Sequence, residues 1–463
     1  MQIKRVFTLL IALSFFTTPN AQENNNANDS LMVRKIFDEA LENGRAYADL
    51  RSLCKDIGAR LSGSISAEMA VQWGYHRLNK YDFDTVYFQE VIVPHWERGT
   101  KESGYYQSKD GTITKVNLLA LGGSIPTNGT MEGEIIMFKN RDALLKATKK
   151  QVEGKIVFIA QPMDQKMITT FNAYGACYPI RGLGAVDAAR KGAKAVVIRS
   201  LSLSEHEHPH TGTMHYAEGV GKIPAAAIST IDATKLEKLI TGSKEELTFH
   251  FEMDCKVLPD KKSHNVIAEL KGSENPNNII TIGGHLDSWD VGEGAHDDGA
   301  GIVHSMEALR ILKELNYKPK NTLRVVFFMN EENGNMGGKT YAKKVKENGE
   351  NHILAIESDR GGFSPRGFSV DGKKEHLDLI RSFNTLFKPY LIQHFEFGYG
   401  GVDISPLKKE FEDIGLIGFV SDSQRYFDFH HNANDVFENV NKRELQLGAG
   451  SLSALVYLLD SYY

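Results

Sequence analysis

The sequence predicts an α/β protein, a mixed central sheet with helices on both faces and a smaller β-rich domain inserted into it. Two patterns and one bound point there. From about residue 264 onward, short β-branched or aromatic runs alternate with helical stretches, as expected of buried strands covered on both sides. Between about 112 and 257 the texture changes to short strands separated by turns. The chain has 463 residues, 41% hydrophobic and 24% charged, the make-up of an ordinary globular protein with length enough for two large units.

Taken in order, the chain opens on an address. Lys4 and Arg5 precede the apolar run Val6–Phe16, and a polar stretch follows. That is the plan of a secretory signal peptide, residues 1–21, with Ala21 the last residue removed. The mature protein is then secreted or periplasmic, and losing Lys4 and Arg5 takes its net charge from −5 to −7. No later segment reaches ~18 unbroken apolar residues, so no membrane partner is expected once the leader is gone. The acidic balance gives no reason to expect nucleic acid. Three cysteines exclude a disulfide scaffold, and Cys177 reads as a buried structural thiol. The patch QENNNAND is expected to be a disordered N-terminus.

Apolar positions spaced by three and four predict helices over 31–56 and 66–80, and the alternation of VYFQEVIV predicts a strand over 86–93. In the middle segment VNLLAL, GEIIMF, KIVFIA, KAVVIRS and PAAAIS read as strands, with one helix around Val186 to Lys191. The histidines of HEHPHTGTMH (206–215) fit no regular ligand spacing and read as a solvated loop. Beyond 264, NVIAEL, NIITIGGH, TLRVVFFMN, HILAIES and GLIGFVS read as strands, with helices near 299–315, 337–348, 374–388 and 441–459.

Chemistry gathers at the ends of these last strands. His285 and Asp287 follow one, Asp297 and Asp298 close the glycine-rich loop after it, Glu331 and Glu332 follow the next, and Glu357 and Asp359 a third. His430, His431 and Asp435 follow a fourth. The carboxyl ends of strands line the crevice of an open α/β sheet. So many carboxylates in one cleft repel one another, and burial adds to the cost; a divalent cation removes it. Two histidines with three or more carboxylates suit zinc, and the set is large enough for two ions. No H-E-x-x-H helix and no G-x-S-x-G elbow is present.

At GGHLDSWDVGEGAHDDGAG, NEENG, ESD and FHHNAND the chain resembles the dizinc aminopeptidase and glutamate carboxypeptidase family. RLSGS (60–64), PHTG (209–212) and KIPAAAIS (222–229) extend the likeness over most of the mature chain. The resemblance implies a zinc exopeptidase fold over 22–111 and 258–463, with a protease-associated-like domain at 112–257. It implies two zinc ions per chain: His285 and Asp359 on one, Glu332 and His431 on the other, Asp297 bridging both, and Glu331 as general base. Asp287 would orient the His285 imidazole, and Asp435 would do similar work near His431. His430 and His296 are candidates for touching substrate. The peptide after the bridging aspartate, Asp297–Asp298, is expected to be cis. Small peptides are the expected substrates and a homodimer the expected assembly. Three activities compete: aminopeptidase or dipeptidase, which the reading favours; carboxypeptidase releasing residues such as glutamate, with Arg360 or Arg425 reading the carboxylate; and an inactive receptor-like binding protein.

Overall fold

The computed structural model describes residues 21–243 and 246–463. The expected leader lies outside them apart from Ala21, which begins a helix (Ala21–Glu42). That helix runs through the patch expected to be disordered; Asp29 within it accepts hydrogen bonds from the Tyr457 and Tyr462 hydroxyls, 2.8 and 2.6 Å. The single helix expected over 31–56 is broken after Glu42, and a new one covers Ala46–Ser52. At the break the Arg45 N–H turns to donate to buried Glu307, 2.8 Å.

The large sheet has eight strands: β1 (Thr85–Glu97), β2 (Lys256–Leu270), β3 (Asn275–His285), β4 (Asn321–Phe328), β5 (Asn351–Glu357), β6 (Pro365–Asp371), β7 (His394–Phe397) and β8 (Gly415–Ser421). Their spatial order is β1-β2-β4-β3-β5-β8-β6-β7. The central four, β4, β3, β5 and β8, are mutually parallel and so end at one edge. The sequence pattern does not anticipate β6 and β7, which finish the far side.

β4 is buried along its whole length because both faces are covered. Val325 and Phe327 join a core with the Ala300–Glu314 and Lys442–Tyr462 helices, whereas Val326 and Phe328 join a second core with Tyr341 and Val345 of the Met336–Glu347 helix. A continuous apolar strand is what burial on both sides demands.

Residues 102–253 contribute a second eight-stranded sheet, which also takes in Glu102–Gln107, upstream of residue 112. Glu102–Gln107 pairs antiparallel with Thr248–Met253. The single helix expected around 186–191 runs instead from Pro179 to Ala189, its proline in the first turn, where no N–H is needed. Thr170–Cys177 and Thr230–Ser243 are further helices, built on mixed apolar and polar stretches whose period is weak. No helix among the described residues is long and apolar enough to cross a membrane.

His304 illustrates how tightly the first core is closed. It is fully buried, with Nε2 against the Leu445 carbonyl and Nδ1 against the Ser358 hydroxyl, both at 3.1 Å. Burial pushes its pKa down to about 4, so the folded protein keeps it neutral where the unfolded chain, titrating near ~6.5, takes up a proton. This contribution to stability is complete above pH ~6.5 and is lost as pH falls toward 4. Urea unfolding is expected to show about 2 kcal/mol less stability from this group at pH 5 than at pH 7. His304→Asn is expected to flatten that part of the profile, and an unchanged slope would refute the assignment.

Candidate active site and metal centre

The parallel strands deliver the candidate residues to one place. His285 closes β3, Glu331 and Glu332 lie in the turn beyond β4, Asp359 lies two residues beyond β5, and His430 and His431 lie in the loop beyond β8. Asp297 sits in the turn of helix Ala295–Gly299 that leads into Ala300–Glu314, and the Asp297–Asp298 peptide is cis, as expected. Arg60, from the RLSGS segment, is fully buried. Its guanidinium donates to the carbonyls of Leu286, Glu293 and Gly294 at 2.6, 2.5 and 2.8 Å, tying down both ends of the loop between His285 and Asp297.

Asp297 is the centre. One carboxylate oxygen lies 3.2 Å from His285 Nε2 and the other 3.2 Å from His431 Nε2. Asp359 approaches the same His285 nitrogen at 3.7 Å, and Glu332 approaches His431 Nε2 at 3.1 Å. The five expected ligands therefore form two groups that share Asp297. Asp297 Oδ2, Glu332 Oε1 and Asp359 Oδ1 are buried and accept no hydrogen bond. Orphaned carboxylate oxygens facing imidazole nitrogens fit a pair of zinc ions, which take oxygen and nitrogen at similar distances.

The electrostatics agree. Burial, then the charge of Asp297, pushes Glu332 up to about 7; burial, then Asp359, pushes Glu357 up to about 8. Glu331, which lines the cavity, is driven well above the usual carboxylate range by burial, with Asp359, Glu332 and Asp403 adding repulsion. A cavity of about 1240 Å³ opens onto the site between the two sheets, its walls including Trp96, Phe171, Tyr174, Arg181, Arg360 and Tyr399.

Three expectations are corrected. The Asp287 carboxylate does not hold the His285 ring: His285 Nδ1 meets the Asp287 main-chain carbonyl at 2.9 Å, with the carboxylate 3.8 Å away. That carboxylate accepts from the N–H groups of Asn330, Glu331 and Glu332 at 2.7, 3.1 and 3.4 Å, shaping the turn that presents both glutamates. Asp435 likewise makes no hydrogen bond to His431; it accepts from the N–H groups of His296 and Asp297 at 2.7 and 3.1 Å. His296 faces away from the cavity. It stacks on Phe363 with ring centroids 4.2 Å apart, accepts from Gly362 N–H at 3.2 Å and reaches the Asn439 carbonyl at 3.3 Å. Burial pushes it down to about 4, so it is a neutral packing group. His430 does lie in the cavity wall, stacked on His431 at 3.5 Å, with Nε2 3.8 Å from Asp297.

The sequence reading missed Arg181 and the 210–213 segment, both from the second sheet's side. Arg181 is buried, donates to the Tyr174 hydroxyl at 2.6 Å and lies 3.3 Å from His431 Nδ1. Nothing in PIRGLG marks that arginine. Asp403, in the GGVD stretch, is buried with both carboxylate oxygens unpartnered.

Known proteins share this sequence and fold. The model of peptidase family M28 matches residues 265–455. Carboxypeptidase Q of Mus musculus is 33% identical over 418 residues, 90% of this chain and 85% of that one. A crystal structure of a peptidase M28 precursor from Shewanella amazonensis superposes with a TM-score of 0.88 at 32% identity, covering 94% of this chain and 97% of the other. BSAP, a zinc aminopeptidase from Bacillus subtilis, shares the fold at a TM-score of 0.62 and 21% identity, covering 90% of this chain and 95% of its own. Fold and site thus define a hydrolase of the metallo-exopeptidase class. The chain belongs to peptidase family M28.

Because the Asp287 carboxylate accepts three main-chain N–H groups, Asp287→Asn sets an amide NH2 against one of them. Zinc affinity is expected to fall about 10- to 100-fold, with turnover falling alongside. Zinc retained after dialysis and peptide hydrolysis check this; wild-type retention would refute it.

Proposed function

We propose that the chain is an exported dizinc exopeptidase that cleaves dipeptides or short peptides, with Glu331 as general base. The observation that carries this is the pair of histidines on opposite oxygens of Asp297, each beside a further carboxylate with an orphaned oxygen. The N-terminal pattern of basic, apolar and polar stretches supports export.

His285 and Asp359 would hold one zinc, Glu332 and His431 the other, and Asp297 would bridge them. Two ions so held would supply acidification of a water and polarisation of the scissile carbonyl. Glu331 does the proton work. The Asp287 carboxylate fixes its main chain, and its side chain lines the cavity beside the candidate ligands. So placed, and ionised once bound cations offset the surrounding negative charge, it would take the proton of the attacking water and return it to the departing amine. His430, beside Asp297 on the cavity wall, is placed to contact the carbonyl oxygen of a bound peptide.

The aminopeptidase or dipeptidase reading is preferred. One observation favours the carboxypeptidase alternative: Arg360, Arg181 and Lys222 all line the cavity. Arg425 does not; it pairs with Glu444 at 3.2 Å and lies over Phe363. Amino acid β-naphthylamides against N-blocked dipeptides separate the two modes, since only an aminopeptidase cleaves the first and spares the second.

Glu331→Gln is expected to keep its zinc and lose about 10²- to 10⁴-fold in turnover. A near-wild-type rate in that variant removes the base assignment. In the wild-type protein, chelation is expected to abolish hydrolysis and added zinc to restore it. Purified protein that holds no zinc, and cleaves no peptide when given zinc, would overturn the reading.

A further inference from the structure

The two halves of the candidate metal site are braced differently. His285 is held from within the large sheet's own segments, its Nδ1 by the Asp287 carbonyl at 2.9 Å and its N–H by Asp298 at 3.1 Å. Glu332 and His431 are held across the cavity by residues 210–213, which belong to the second sheet's stretch of chain. Thr213 Oγ1 donates to the Glu332 carbonyl at 2.7 Å. The Thr211 N–H donates to the His431 carbonyl at 3.0 Å, and His431 Nδ1 lies 3.3 Å from the Thr211 carbonyl. His210 Nδ1 meets the His430 carbonyl at 2.6 Å.

Each contact suits a ligand-holding role. A histidine that offers Nε2 to a metal carries its proton on Nδ1 and needs an acceptor there, which sets the ring's angle. Thr211 supplies that acceptor; Arg181 Nη1, which can only donate, lies 3.4 Å from the same carbonyl and 3.3 Å from Nδ1, so of the two neighbours only the carbonyl can receive the ring proton. His431 itself has φ +62°, a conformation that a side-chain-bearing residue keeps only when its surroundings impose it. The Thr211 hydrogen bond to its carbonyl is one such restraint. Gly212 lets the segment come this close: a Cβ there, at φ +129°, would meet Arg181 at 2.4 Å and His431 Nδ1 at 2.6 Å.

We propose that His210–Thr213 is a strap by which the second sheet sets the affinity of one zinc position, the Glu332–His431 one, and leaves the His285–Asp359 position alone. Thr211 and Thr213 are then positioning residues that act through the ligands. The proposal rests on the dizinc reading above.

The test is a competitive zinc titration of the full-length mature protein against a chromophoric chelator, comparing wild type, Thr213→Val and Thr213→Ser. Thr213→Val keeps the side chain's shape and loses the donor; Thr213→Ser keeps the hydroxyl. Wild type is expected to show two binding steps. In Thr213→Val one step is expected to weaken about 10- to 100-fold with the other unmoved, and Thr213→Ser is expected to recover the wild-type curve. Gly212→Ala, which displaces the strap as a whole, is expected to weaken the same step. Two unaltered steps in Thr213→Val, or equal weakening of both, would overturn the strap while leaving the dizinc reading intact. A wild-type chain that takes up no zinc would overturn both.

Discussion

The structure is organised around the cost of enclosing negative charge. Asp287, Asp297, Asp298, Glu332, Glu357, Asp403 and Asp435 are all buried near the carboxyl ends of the parallel strands, and Glu331 and Asp359 stand beside them. Carboxylates in such a setting either take up protons or are given compensating positive charge. The upward pressure on Glu332, Glu357 and Asp435, to about 7, 8 and 7, runs in the direction that this unmet demand predicts. Among the described residues, His285 Nε2 hydrogen-bonds to Asp297 Oδ1 at 3.2 Å and His431 Nε2 lies 3.1 and 3.2 Å from Glu332 and Asp297, two imidazoles against many carboxylates.

How the acids are wired separates scaffold from ligand. Asp287, Asp298, Asp435 and Glu357 point their oxygens at main-chain N–H groups, those of 330–332, of His285 and Gly301, of His296 and Asp297, and of Val402 and Ile404. Each fixes the course of a loop. Asp297, Glu332 and Asp359 instead keep a bare oxygen, and Asp403 keeps two. The first group shapes the turns, and the second is what those turns present. A preorganised arrangement of this kind needs no rearrangement when charge develops in a reaction.

This division explains what was legible in the sequence. Strand ends are marked by apolar runs that stop abruptly, so TLRVVFFMN followed by two glutamates already places Glu331 and Glu332 at the crevice edge, and β3 and β5 do the same for His285 and Asp359. Which carboxylate serves the backbone and which serves a ligand is invisible, because both are simply Asp or Glu after a strand. Asp287 and Asp435 were misjudged for that reason, their main-chain partners being 43 and 139 residues away at the closest contact. His296 adjoins Asp297, yet its ring is captured by Phe363 and Phe429, contacts that no local pattern encodes. The 206–215 tract reads as a solvated loop because its histidines lack ligand spacing, yet His210 and Thr211 are buried; its contribution lies in main-chain groups, the His210 imidazole and the Thr213 hydroxyl.

Long-range bracing of that kind works only if the second sheet is set accurately over the first, and the connection between them provides this. β1 and β2 pair without interruption from Thr85 opposite Glu269 to Glu97 opposite Lys256, apart from one irregularity near Val93. Just beyond, Glu102 stands opposite Met253 in the second sheet. The chain therefore enters and leaves residues 102–253 along what is close to one antiparallel ribbon. Arg98 locks the junction, gripping Asp290 and Glu102 at 2.7 and 2.9 Å and donating to the Ala120 carbonyl at 2.8 Å. Domains joined by loose linkers move relative to one another by default, whereas a paired ribbon with a half-buried, ion-paired arginine at its bend transmits position. A cavity wall built from a separate sheet can then hold residues such as His431 and Glu332 in place, the accuracy that the proposed metal centre would require.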